Sequence, residues 1–180
     1  KLASNLKQDY NVIMTRSDDT FVPLGKRAEI GNDANADLFI SIHLNAASST
    51  SANGSEVFYF SKKESAYAAE VAKFENSVDK GYADVPLSDF IINDIFYRVN
   101  QQKSAMLATD ILDNIVNEFG LRKRGVFGAN FAVLRGSNSP SILVEIGFVT
   151  NSGDMSTYGT DSSRVKLASE IAQGVRKHFE

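Results

Sequence analysis

Asp37-Leu38-Phe39-Ile40-Ser41-Ile42-His43-Leu44-Asn45-Ala46 reads as a strand that ends at a histidine. A second run, Ser141-Ile142-Leu143-Val144-Glu145-Ile146-Gly147-Phe148, reads as a strand with one carboxylate near its end. Both runs are apolar and rich in β-branched residues, as strands buried on both faces of a parallel sheet are. Each carries a single ionisable group near its C-terminal end, which is where open α/β sheets present their ligands. A neutral imidazole can hold a divalent metal, and a carboxylate beside it can take a proton from a water that the metal activates. Together His43 and Glu145 point to metal-assisted hydrolysis. For His43 alone, a hydrogen-bonded core histidine is the commoner role. Glu145 is harder to read as structural, because a charge buried among such neighbours needs an arginine or a metal close by.

The rest of the chain alternates around these strands. A helix through Leu6 leads to a strand at 10–15, a polar loop with Ser17-Asp18-Asp19, and a helix starting near Val22 or Pro23, a residue suited to a first turn. Residues 46–54 are small and polar and read as a mobile surface loop beside the histidine. A strand at 56–60 follows, then helices at about 63–76 and 101–119, the latter closed by Gly120 and the basic turn Leu121-Arg122-Lys123-Arg124-Gly125. A last helix, 162–179, places Val165, Leu167, Ala168, Ile171, Ala172 and Val175 at helical spacing, which is core packing. The alternation predicts an α/β fold of three layers: a mostly parallel sheet with helices on both faces. Residues 76–100 add an inserted helical segment. In it Leu87, Ile91, Ile95 and Val99 fall four apart, with Phe90, Ile92 and Phe96 beside them, a wide apolar face that must be covered by the domain itself or by a partner.

The chain of 180 residues, 43% hydrophobic, is long enough for one domain with a substantial core. No apolar run approaches the ~20 residues of a membrane span. The net charge of −3 argues against a nucleic-acid binder that relies on a basic field, and the absence of cysteine excludes disulfides.

Several ordered segments resemble the zinc-dependent N-acetylmuramoyl-L-alanine amidases. They are Met14-Thr15-Arg16, Leu24 with Arg27, the run Ala34 through Ala46, Arg124-Gly125-Val126, Phe131-Ala132-Val133-Leu134-Arg135, and Pro140 through Asn151. The resemblance covers nearly the whole chain, so residues 1–180 are read as one amidase catalytic domain. It implies hydrolysis of the amide between the lactyl group of N-acetylmuramic acid and the first L-alanine of the peptidoglycan stem peptide, in an extracytoplasmic setting, periplasmic or at the cell wall. His43 matches a zinc ligand and Glu145 the catalytic glutamate, with Asn45 and Arg124 as candidate substrate contacts. Arg16 and Arg27 recur in the family's motifs and are equally readable as ion-pair partners of Asp18, Asp37 or Glu29.

The resemblance fails at the start of the chain. The family opens with a strand, a Gly-His-Gly-Gly loop and a glutamate that supply two further zinc ligands, and none of these precedes Lys1; an N-terminally trimmed chain is the favoured expectation. His178, among Arg176, Lys177 and Glu180, reads as part of a solvated helix end rather than a substitute ligand. In family members with an insertion like 76–100, that segment covers the site until a protein activator displaces it. Glu75 matches the glutamate that blocks a zinc position in those enzymes. The rival readings are a catalytically silent peptidoglycan-binding or regulatory module of the same fold, and a zinc carboxypeptidase-like peptidase.

Overall fold

The strand ending at His43 and the strand carrying Glu145 lie side by side, in a computed structural model that describes residues 1–89 and 94–180. In chain order the elements are α1 (Leu2–Leu6), α2 (Leu24–Asp33), β1 (Phe39–Asn45), β2 (Ser55–Phe60), α3 (Ala66–Asn76), α4 (Lys80–Ala83), α5 (Asp94–Phe119), β3 (Lys123–Ala129), α6 (Ala132–Arg135), β4 (Ser141–Phe148), α7 (Ser152–Thr157) and α8 (Asp161–Phe179). Single 3-10 turns stand at Ser77–Asp79 and Leu87–Asp89.

The sheet order is β1-β4-β2-β3. β1 runs parallel to β4 and β3 parallel to β2, whereas β2 and β4 are antiparallel, so the sheet is mixed with parallel pairing in the majority. β4, buried at every position but Ile146, lies inside the sheet, which explains its largely apolar run. Alternate side chains serve two separate cores. On one face Val57, Ile142 and Val144 pack with Leu107, Ile111 and Ile115 of α5 and Ile171 and Val175 of α8. On the other, Phe39, Phe58 and Leu143 pack with Leu24 of α2, Ala68 and Ala72 of α3, and the Ala132 to Leu134 turn of α6. The three-layer arrangement expected from the sequence follows from this division. Each large apolar side chain buried in it contributes about 1.5–3 kcal/mol.

Three sequence expectations are corrected here. Residues 10–15 form no strand; Tyr10 and Val12 pack against the α5/α8 core while Ile13 and Met14 stay exposed, because an extended segment becomes a strand only with a ladder partner. β1 is an edge strand among the described residues, and Ile42 (45% exposed) and Leu44 (38%) show that it is not buried on both faces. The basic turn after Gly120 is shorter than expected, since Lys123 and Arg124 already belong to β3; Gly120 itself does end α5, with φ +63°. Within the inserted segment the described residues form the short α4 and a 3-10 turn at Leu87–Asp89, and from Asp94 onward Ile95, Phe96 and Val99 lie on the long helix α5 and stand exposed. Phe90, Ile91 and Ile92 lie outside the described residues. α7 was not anticipated; its cap, Asn151 accepting from Asp154 N–H at 3.0 Å, is the signal that marks it.

Candidate metal and catalytic site

The sheet register assembles the site. His43 faces Glu145 across β1 and β4, and Glu145 faces Glu56 across β4 and β2, so three ionisable side chains stand in one row. They share the face that carries Phe58 and Leu143, the one covered by α2, α3 and α6. Glu145 and Glu56 are both wholly buried.

α3 brings a third carboxylate. Tyr67, Val71 and Glu75 are four residues apart and so fall on one stripe of the helix. The eight residues from Tyr67 to Glu75 span about 12 Å of helix, enough to cross the roughly 10 Å from β2 to β1. Tyr67 thereby meets Glu56 and Glu75 meets His43. Glu75 Oε2 lies 2.8 Å from His43 Nδ1, and Ser41 Oγ lies 2.8 Å from Nε2. In a neutral ring this corresponds to Nδ1–H donating to Glu75 and Nε2 accepting from the Ser41 hydroxyl.

One donor atom each from His43, Glu75 and Glu145 fits within a 4.8 Å spread. Neither Glu145 oxygen has a hydrogen-bond partner among the described residues. Burial, followed by the charges of Glu75 and Glu56, pushes its pKa up to about 9. A wholly buried carboxylate without a donor, next to an imidazole and a second carboxylate, suits a divalent cation, and the imidazole-plus-carboxylate set suits zinc.

Glu56, by contrast, is surrounded by donors. Asn45 Nδ2 donates to Oε1 at 2.7 Å, the Tyr67 hydroxyl lies 2.7 and 2.8 Å from the two oxygens, and Arg124 Nε donates to Oε2 at 2.9 Å. Arg124 Nη2 in turn donates to the Tyr67 hydroxyl at 2.9 Å, and the guanidinium lies 4.8 Å from the centre of the Phe148 ring. Burial opposes the Arg124 charge, but the bonds to Tyr67 and Glu56 outweigh it and its pKa is raised. Burial and the bond to Glu56 push the Tyr67 hydroxyl up to about 12.

Two register slips aim these side chains. Between the His43–Glu145 and Asn45–Phe148 pairs, β4 advances one residue more than β1. Ser55 faces Lys123 but Glu56 faces Gly125, so Arg124 is the extra residue of a bulge that turns its side chain toward Glu56. Gly125 makes the bulge feasible, with φ +142° and only 2.8 Å between its notional Cβ and the Phe127 ring.

Asn45 was expected to contact substrate, but here its side chain is buried and committed to the strand end. Oδ1 accepts from Ala46 N–H at 2.7 Å while Nδ2 serves Glu56. Arg124 keeps Nη1 less engaged, 3.5 Å from the Asn53 carbonyl. Residues 46–54 are clasped to the β4–α7 connection. Thr50 O accepts from Asn151 Nδ2 at 2.7 Å, and the buried Asp154 accepts from Gly54 and Phe148 N–H, each at 2.9 Å. Arg27 bonds to the Val22 carbonyl at 2.8 Å, and Glu29 pairs with Lys26 instead. His178 sits on α8, which packs on the opposite sheet face, edge-on to Phe179, so it is not brought to His43.

The chain just after Glu75 is also anchored. Asp79 Oδ2 accepts from Leu24 N–H at 2.9 Å, which caps the start of α2. The Tyr82 ring lies over Gly25, where a Cβ would come within 2.6 Å of it. Arg135 donates to the Tyr82 and Ala83 carbonyls, and its guanidinium lies 4.8 Å from the centre of the Tyr82 ring.

Fold and site define an α/β domain with a partly buried His/Glu/Glu cluster, two members on adjacent strands and one on the helix that covers them. The family described as N-acetylmuramoyl-L-alanine amidase matches residues 1–177, and the chain belongs to that family. It is 37% identical over 179 residues to the amidase AmiC of Neisseria meningitidis serogroup B, covering 94% of this chain and 42% of that protein. It is 35% identical over 173 residues to AmiA of Escherichia coli, covering 92% and 60% respectively. The chain thus spans about half the length of these relatives. Among solved structures, the amidase of Clostridium difficile 630 superposes with a TM-score of 0.73 at 29% identity, covering 99% of this chain and 77% of that one. AmiC2 of Nostoc punctiforme gives 0.70 at 29% identity, covering 99% and 78%.

Proposed function

We propose that this chain is the catalytic domain of a zinc-dependent amidase that cuts peptidoglycan between N-acetylmuramic acid and L-alanine, with Glu145 as its general base and acid. The observation that carries the proposal is Glu145 itself, wholly buried, without a hydrogen-bond partner for either oxygen among the described residues, and beside His43 and Glu75. His43, with Glu75 in the closed form, would hold the metal. When bound, zinc supplies Lewis acidity toward the scissile carbonyl and toward water. Glu145 takes a proton from the attacking water as its oxygen bonds to the carbonyl carbon. It then delivers that proton to the nitrogen as the C–N bond breaks, so a lactyl carboxylate and a stem peptide with a free L-alanine amine result. Arg124, through its less engaged Nη1, would receive an anionic group of the stem peptide.

The contact between Glu75 and His43 supports a shut form of the site. Glu75 sits 2.8 Å from His43 Nδ1 in the cluster that includes Glu145, and a carboxylate in an open coordination position converts a catalytic centre into a closed one. The segment after Glu75 is the element that a protein activator would move. The amidase names of the relatives support an extracytoplasmic location at the wall, and no helix among the described residues is long and apolar enough to cross a membrane.

The test is hydrolysis of purified peptidoglycan with added zinc by the protein in its full natural length, with mass spectrometry for free stem peptides that begin with L-alanine. Release that disappears in Glu145→Ala supports the reading. No release by wild type or by Glu75→Ala favours the silent wall-binding module, and cleavage within the stem peptide favours a peptidase.

A further inference from the structure

Glu56 takes no part in the reaction above, yet it is wholly buried and bonded to three side chains from three elements. We propose that Glu56 is a positioning residue for the His43–Glu145 centre, acting through Asn45 and Arg124 without touching substrate or metal.

The argument begins with the backbone. His43 and Glu145 are the last directly paired residues before the β1–β4 register slips, so the strand end beyond them has lost its regular ladder. Asn45 restores order there. Its Oδ1 accepts from Ala46 N–H and its carbonyl accepts from Val149 N–H at 2.8 Å, while Nδ2 reaches across β4 to Glu56. Glu56 is therefore the fixed end of a tether whose other end lies two residues past His43.

A second tether runs to Arg124. The bulge in β3 places that guanidinium beside Glu56, and Nε, Nη2, the Tyr67 hydroxyl and both Glu56 oxygens close a bonded ring. The orientation of Arg124 is set by this ring. A third tether is Tyr67, which shares its helical stripe with Glu75. The carboxylate thus bonds to one side chain from each of β1, α3 and β3, the elements that wall the site.

Stability alone does not account for such a group. A well-packed apolar residue at a buried ion-pair position is often as stable or more so. On the same face of the same sheet, Phe58 and Leu143 show that this interior accepts large apolar side chains. What an apolar side chain could not do is hold Asn45 and Arg124 in fixed orientations, and placement errors of a fraction of an ångström at a catalytic centre are costly.

The activity readouts rest on the amidase reading; the structural one does not. Glu56→Gln and Tyr67→Phe are compared with wild type in the full-length protein on a soluble muropeptide, alongside zinc content and the Asn45 side-chain amide signals by NMR in the metal-free protein. Glu56→Gln is expected to lower kcat at least tenfold with KM within about threefold and zinc content unchanged, and to abolish the exchange protection of the Asn45 amide. Tyr67→Phe is expected to move kcat in the same direction by a smaller factor. The proposal is overturned if Glu56→Gln keeps kcat within threefold of wild type. It is also overturned if activity and zinc content fall together, or if Glu56→Gln fails to fold while Tyr67→Phe turns over like wild type. A wild type that releases no stem peptide would sink the amidase reading, and the Asn45 signals would still decide whether Glu56 holds that side chain.

Discussion

Glu56 and Glu145 are the same residue type, equally buried, and paired directly across β2 and β4, yet their surroundings are opposite. Glu56 accepts from Asn45, Tyr67 and Arg124; Glu145 accepts from nothing among the described residues. Removing a carboxylate from water is affordable when donors replace the lost solvent and expensive when they do not. The difference assigns the two groups to different tasks. A satisfied carboxylate is fixed in place and can fix others, whereas an unsatisfied one is poised to exchange a proton or to face a cation.

The largest effect that tests this contrast is at Glu145. Glu145→Gln keeps the shape and removes the proton exchange, so turnover of a muropeptide should fall by about 10²–10⁴-fold, the usual contribution of a positioned general acid–base group. Bound zinc, measured by elemental analysis, should remain. A variant with wild-type turnover would remove Glu145 from the reaction.

The same substitution should make the metal-free chain more stable, in a pH window that follows from the raised pKa. A carboxyl that titrates near 4.5 when unfolded and at about 9 when folded holds more protons in the folded state between those values. Stability from this group is therefore full below about pH 4.5 and is lost as pH rises toward about 9. Glu145→Gln lacks that dependence. Chemical denaturation in the presence of chelator should show equal stability at pH 4 and an advantage of about 3 kcal/mol for the variant at pH 7. Parallel wild-type and variant curves across that range would mean that Glu145 is not buried without partners in the metal-free state.

Glu56 should behave in the opposite sense. Glu56→Gln deprives Arg124 of its counter-charge and sets an amide donor against a guanidinium, so the folded state should lose about 2–4 kcal/mol at pH 7. Denaturation midpoints with unchanged slopes would check it. If both glutamine variants shift stability in the same direction, the distinction between the two carboxylates fails.

The contrast also shows how far the sequence could be read. The strands around His43 and Glu145 were legible because a lone ionisable group inside a β-branched run stands out, while their position on one face is set by the strand register. Glu56 sits at the head of Ser55–Phe60 next to a polar loop, where a glutamate looks solvent-facing. Its register partner, Glu145, is what buries it, and register is a property of the assembled sheet. One signal was available: Glu56 shares its strand face with Phe58, so a core-facing carboxylate could have been inferred once Phe58 was assigned to the core. Arg124 was noticed as a cation, but the bulge that turns it inward depends on pairing with β2. In the inserted segment, four-residue periodicity showed an apolar face without saying which helix carries it, and Ile95 and Val99 lie on α5.

Glu75 joins the comparison as a third carboxylate, and its charge is the first of the two that raise the proton affinity of Glu145. Glu75→Ala should free the His43 nitrogen and remove that charge, raising unactivated turnover by roughly tenfold, about 1.4 kcal/mol of released inhibition. An unchanged or lower rate in a folded variant would make Glu75 a plain structural partner of His43.

The smallest expected effect lies farthest from the chemistry. Glu75 is the penultimate residue of α3, and the chain beyond it is pinned where Asp79 caps α2 and Tyr82 fills the space over Gly25 under Arg135. A side chain at the end of a helix is held only as firmly as the segment that follows it, so the Tyr82 seat and the Glu75 contact form one mechanical unit. Tyr82→Ala leaves the Asp79 cap and the two carbonyl acceptors of Arg135 in place and removes only the ring. It should therefore loosen the seat rather than empty it, raising unactivated turnover about two- to threefold, a population shift of under 1 kcal/mol. In a Glu75→Ala background the same change should do nothing, because no blocking carboxylate remains to be released. Additive increases in the double variant would show that Tyr82 acts on the site by some route other than Glu75, and would separate the anchored segment from the closed state of the centre.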